Sequence, residues 1–138
     1  MTPYHVTRDI AAPPGTVWSI LTDAERLSDG SFSIIKINGQ IAKGARFKLW
    51  SEVDPKRAFP IKVAVMAPEV RMEWHGGMPL GLFLGNRQFI LTPIGTGMRF
   101  EMRETYSGPL KGLITKAIPD LQPSFEKFAD ALKERAEA

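Results

Sequence analysis

The chain has 138 residues, 43% hydrophobic and 24% charged, which fits one domain over residues 1–138 that buries roughly 70% of its extended surface. It has no cysteine, which excludes disulfides and thiolate chemistry and leads us to expect a cytoplasmic protein; no basic start leads into an apolar run, and no apolar stretch approaches the roughly 20 residues of a membrane span. The net charge of +3 comes from 18 basic and 15 acidic side chains that interleave along the chain, with loose basic clusters only at Lys43, Arg46 and Lys48 and at Lys56, Arg57 and Lys62, so neither a nucleic-acid partner nor integral membrane association is expected.

Tyr4 to Ile10 predicts a first strand. Pro13 and Pro14 suit a helix entry, where the first turn has spare N–H groups that proline does not need. Val17, Trp18 and Leu21 fall on one face at helical spacing, so Pro14 to Leu21 predicts a short helix. Thr22 or Asp23 is placed to cap a second short helix through Leu27. Phe32 to Ile41 reads as extended, with Asn38-Gly39 marking a turn, bulge or bend. Ala45 to Val53 alternates, with Phe47 and Leu49 on one face and Arg46, Lys48 and Trp50 on the other. Asp54 to Arg57 reads as a turn.

Ile61, Val63 and Val65 alternate with Lys62 and Ala64. Val70, Met72 and Trp74 alternate with Arg71, Glu73 and His75, the pattern of a sheet with one buried and one wet face. Arg87 to Thr92 and Met98 to Tyr106 predict two more strands, joined by a hairpin loop at Pro93 to Gly97. From Leu110 the period changes to that of an amphipathic helix. Pro119 and Pro123 lie within it, and an interior proline loses a hydrogen bond and clashes one turn back. A kink or break is therefore expected near Ala117 to Gln122, with a regular helix from about Asp120 to Glu137. One long helix against a curved antiparallel sheet is an α+β arrangement. The helix covers only part of such a sheet, and the space left between them becomes a cavity.

The order of these elements, with Ala12-Pro13-Pro14, Val17-Trp18, Leu21-Thr22-Asp23, Gly39, Gly44 and Glu104-Thr105-Tyr106-Ser107-Gly108, resembles the START/Bet v 1-like superfamily. It looks closest to its bacterial polyketide cyclase/dehydrase, or SRPBCC, members, and the likeness covers essentially the whole chain. The resemblance implies a helix-grip fold. A curved antiparallel sheet of about six or seven strands would wrap around a long C-terminal helix, with two short helices after the first strand. It also implies a hydrophobic ligand cavity, but no single reaction, because one fold hosts many functions. The two prolines of the final helix depart from the family pattern and bear on the shape of the cavity mouth.

Catalytic groupings are sparse. His5 and His75 both sit opposite the apolar alternation and are expected to face solvent. With no cysteine and two separated histidines, a zinc site lacks ligands, and no metal or cofactor is expected. Gly95-Thr96-Gly97 reads as a hairpin turn, since no helix follows it to hold a phosphate. The pair Arg87 and Glu104 stands out. If Leu91 faces Phe100 across the hairpin, Arg87 faces Glu104 on the apolar side. Charges buried there normally pair, either as a structural ion bridge or as a polar anchor for a ligand's carboxylate, carbonyl or hydroxyl group, with Arg87 as donor and Tyr106 adding a hydroxyl.

The apolar segment Gly77 to Gly85 is read as a lid, an interface, a membrane-touching tip or core. Met72, Met78, Met98 and Met102 suit an adaptable lining. Trp74 has inward parity, Trp18 is expected to pack the first helix on the core, and Trp50 points outward.

The expected function is binding of a hydrophobic or amphipathic small molecule, lipid-like or polyketide-like, in the cavity. The expected lining is Phe47, Leu49, Val63, Met72, Trp74, Phe89, Phe100, Met102 and Tyr106, with Leu121, Phe125 and Phe128 from the final helix and Arg87 and Glu104 as polar anchors. One alternative is a cyclase/dehydratase-type enzyme without metal or nucleotide, in which Arg87, Glu104 or Tyr106 assists proton transfer or polarises a carbonyl. The other is a cochaperone-like interaction module using the apolar loop. A monomer or homodimer fits each of these.

Overall fold

The computed structural model describes residues 4–138. Strand β1 (Tyr4–Ile10) leads into the short helices α1 (Pro14–Leu21) and α2 (Ala24–Leu27). Six strands follow: β2 (Ile34–Asn38), β3 (Arg46–Ser51), β4 (Asp54–Ala67), β5 (Arg71–Met78), β6 (Phe83–Ile94) and β7 (Gly97–Ser107). Helices α3 (Lys111–Ala117) and α4 (Gln122–Glu137) close the chain. The seven strands form one antiparallel sheet in the order β1-β7-β6-β5-β4-β3-β2. This is the helix-grip α+β arrangement expected from the pattern of the chain.

Local chemistry accounts for the helix boundaries. Asp23 caps α2, its Oδ1 accepting from the backbone N–H groups of Glu25 at 3.0 Å and Arg26 at 3.2 Å. Ile118 is extended and breaks the last helical stretch into α3 and α4. Pro123 sits in the first turn of α4, where no hydrogen bond is lost.

Three strand readings are corrected. Asp54 to Arg57 is not a turn but the start of β4. The turn lies one step earlier, where the Val53 N–H donates to Ser51 Oγ and the Glu52 N–H to the Ser33 carbonyl. The register shift between Leu49 and Ser51 takes up Pro55, as bulges do. A second register shift, between Val63 and Val65, reverses the alternation, so Val63 is fully buried while Val65 is exposed. Strands β6 and β7 also run to the tip of their hairpin, which Gly95 and Thr96 close. Pro93 is tolerated because the β5 ladder ends at Ile90, leaving Pro93 beyond it.

The core lies between the sheet's inner face, α1, α2 and α4. Gly77 shows how tightly the chain is drawn at the end of β5. Its φ of +151° suits glycine, and a Cβ there would lie 2.2 Å from the Phe83 carbonyl oxygen. Gly77→Ala is expected to destabilise by more than 1 kcal/mol, since ordinary strain at such a position costs about 1–3 kcal/mol. Chemical denaturation would measure it, and an unchanged midpoint would contradict the reading.

Candidate functional site

A cavity of about 390 Å³ lies between the inner sheet face, α3 and the first turns of α4. It follows from the fold: α4 packs chiefly on β1 and α1 and leaves the other end of the sheet uncovered. Most of the wall is apolar.

At one end a row of inward side chains crosses three strands. Trp74 on β5 pairs in register with Arg87 on β6, which pairs with Glu104 on β7. The Arg87–Glu104 pairing expected from the hairpin index is the one observed. Arg87 Nε donates to Glu104 Oε1 at 3.2 Å, and the Tyr106 hydroxyl donates to Glu104 Oε2 at 2.6 Å. The guanidinium carbon lies 4.7 Å from the Phe125 ring centroid, a cation–π contact. Both Arg87 and Glu104 are mostly buried. Burial, then the Glu104 charge, push the Tyr106 hydroxyl far above the usual phenol range, so it remains a protonated donor. The charges of Arg87 and Glu104 cancel locally. Arg87 keeps its Nη donors, for which no acceptor is found among the described residues. The cluster therefore offers hydrogen-bond donation in an apolar cavity without an uncompensated charge.

Of the residues expected to line the cavity, Leu49, Trp74, Arg87, Met102, Glu104, Tyr106, Leu121, Phe125 and Phe128 do so. Phe47, Val63, Met72, Phe89 and Phe100 do not, and this corrects the expectation. They point inward as the alternation requires, but they fill the solid core, with Phe47 also reaching an outer groove. Inward parity on its own cannot tell a packed position from one facing a void. Of the four methionines, Met78 and Met102 reach the cavity, whereas Met72 and Met98 are fully buried core.

Sequence reasoning missed the other polar residues of the wall: Ser33, Ser51, Asp54, Arg57 and Ser124. Ser124 Oγ donates to Ser33 Oγ at 2.8 Å, tying α4 to the start of β2. Arg57 stacks on Phe59, its guanidinium carbon 5.1 Å from the ring centroid. The interruption of the helical stripe at Ser124, among Leu121, Phe125 and Phe128, was the one available signal.

The segment Gly77 to Gly85 divides between roles. Phe83 is buried and stacks on Tyr106 at 5.5 Å, while Leu80 at the tip is 95% exposed. Neither histidine is simply solvated. His5 Nε2 lies 2.5 Å from Glu101 Oε2, and His75 Nε2 lies 3.7 Å from Glu73 Oε1. Trp18 packs partly buried against the core as expected, and outward Trp50 carries the Lys36 ammonium 5.2 Å above its ring. Among the described residues, no cluster of three or more potential metal ligands occurs and no helix is long and apolar enough to cross a membrane.

The sheet, the gripped helix and the cavity between them define a helix-grip domain of the SRPBCC class. The chain belongs to the family described as polyketide cyclase / dehydrase and lipid transport, whose model matches residues 1–137. Solved structures repeat the fold. MLL2253 from Mesorhizobium loti is 20% identical with a TM-score of 0.73, covering 95% of this chain and 93% of its own. TTHA0849 from Thermus thermophilus is 22% identical with a TM-score of 0.68, covering 96% of this chain and 95% of its own. The Aha1 dimer from Colwellia psychrerythraea is 16% identical with a TM-score of 0.72, covering 97% of this chain and 95% of its own. At these identities the likeness is one of fold. Among curated proteins no sequence matches.

Proposed function

We propose that this protein binds a hydrophobic or amphipathic small molecule, lipid-like or polyketide-like, in the cavity between sheet and C-terminal helix. The observation that carries this reading is a largely apolar cavity of about 390 Å³ whose wall holds a neutralised arginine with spare donors. Apolar walls with a few convergent polar groups are the usual make-up of a small-molecule site. Because Glu104 already balances Arg87, the group that suits this cluster is a carbonyl or hydroxyl oxygen rather than a second carboxylate.

Native mass spectrometry of the protein as purified, followed by solvent extraction, tests the reading. The expected result is an equimolar adduct that releases an apolar molecule. A ligand-free mass together with no uptake of added apolar compounds would contradict it.

A second reading, a cyclase/dehydratase-type enzyme, draws on the family description and on Glu104 lying in the cavity wall between two donors. In that reading Glu104 moves the proton, and Arg87 and Tyr106 hold the developing oxyanion. The cochaperone-like reading is less favoured, because an interaction module has no need of an open internal cavity.

A further inference from the structure

The outer face of the sheet carries a second void. It is a groove of about 690 Å³ over strands β3 to β6, and its polar rim is Asn38, Arg46, Lys48, Lys62 and His75. Across the ladder Arg46 faces Lys62, and Lys62 faces His75. Like charges placed directly opposite one another, as Arg46 and Lys62 are, cost stability. No ion pair among the described residues includes Arg46, Lys48 or Lys62. Several other outward cations of the sheet do have carboxylates: Arg8 with Glu126, Arg71 with Glu73, and Arg99 with Asp9. Arg46, Lys48 and Lys62 thus gather three cations without carboxylate partners around one groove.

The groove also touches the inner cavity. The β4–β5 ladder stops at Lys62 and His75. Beyond that point Pro60 has no N–H to donate, and β4 pairs only with β3. The six residues Pro60, Ile61, Gly76, Gly77, Met78 and Phe83 bound both voids. The partition between them is a single unpaired seam. Gly76 keeps it thin, since a Cβ there would lie 3.3 Å from the Pro60 carbonyl oxygen.

We propose that this seam is a side portal and that the ligand is an amphipathic anion, its apolar body in the cavity and its anionic group on the cationic rim of the outer groove. The proposal rests on the cavity-binding reading above and adds the ligand's charge and direction of entry. The neutral Arg87–Glu104 cluster offers an anion nothing, whereas the rim offers unpaired donors of charge-assisted hydrogen bonds.

The probes are cis-parinaric acid and its methyl ester, which share a chain and differ in charge, titrated by fluorescence at low salt. The acid is expected to bind about tenfold more tightly than the ester, as a few partly exposed charge contacts would give, and added salt should shrink the difference. The triple variant Arg46→Gln, Lys48→Gln, Lys62→Gln should remove the acid's advantage and leave ester binding unchanged. Its three sites are exposed and relieved of repulsion, so the fold is expected to hold. Arg87→Met should leave binding of the acid as it was, because the acid's head group lies on the rim and not at the Arg87–Glu104 cluster. Met78→Trp, at the seam, should slow association of both probes. Equal binding of acid and ester, or binding of the acid that falls in Arg87→Met and ignores the rim, would overturn the portal while leaving the cavity reading in place. If neither probe binds, both fall.

Discussion

Phe128→Ala is expected to cost about 3–5 kcal/mol, the usual range for removing a buried phenylalanine. The side chain is 2% exposed and joins α4 to the rest of the core. Its ring centroid lies 5.1 Å from that of Phe32, 5.9 Å from Phe89 and 6.4 Å from Phe100. Such aromatic pairs add about 0.5–1.5 kcal/mol beyond area burial. The position also borders the cavity, so truncation would enlarge an existing void rather than one that neighbours could refill. The loss corresponds to a fall in thermal midpoint of the order of 10 °C for a domain of this size. Urea denaturation with an unchanged slope would measure it. A loss below about 1 kcal/mol would mean that α4 is not anchored by this ring.

Arg87→Met is expected to weaken binding of a carbonyl- or hydroxyl-bearing apolar ligand about 10- to 100-fold, as loss of a charged hydrogen-bond donor of about 1.5–3 kcal/mol implies. Binding of a plain hydrocarbon should change little, because such a ligand takes no hydrogen bond from the guanidinium. Glu104→Gln keeps one acceptor oxygen for Arg87 and turns its amide N–H toward the Tyr106 hydroxyl, which can accept, so binding should largely survive. If the site carries out chemistry, that same change should abolish turnover. Phe89→Ala supplies the contrast. Phe89 is fully buried and outside the cavity wall, so its truncation should lower stability and leave selectivity among ligands unchanged. Calorimetric titration against matched ligand pairs separates these outcomes. Equal loss of both ligand types in Arg87→Met would remove Arg87 as an anchor.

The fold was legible in the sequence wherever period and punctuation agreed. Pro13 and Pro14 with Val17 and Leu21 marked α1, and the alternation of Met72 and Trp74 with Glu73 marked β5. The hairpin index placed Arg87 against Glu104, since an antiparallel register fixes every pair once one is set. Bulges were not legible. The shift near Ala64 turned Val65 outward, although nothing in its residue type distinguishes it from Val63. The cavity wall was legible only in part, because alternation reports which face a side chain occupies and not what lies opposite it. Whether α4 covers Phe89 or leaves Leu49 facing a void is a matter of helix placement, a long-range property that local pattern does not carry. Arg57 and Asp54 were missed for a related reason: a Pro-containing polar run looks like a turn, and here it begins a strand at the cavity wall.

The most direct test of the account is a fluorescence titration of wild type and Leu121→Trp with the neutral probe N-phenylnaphthylamine. Leu121 lines the cavity at the start of α4 and is only partly buried, so a larger ring there fills space without displacing the core. The account predicts saturable, equimolar binding by the wild type and its loss in a variant whose circular dichroism is unaltered. A folded Leu121→Trp that binds the probe as well as the wild type would place the ligand outside the cavity and contradict the account.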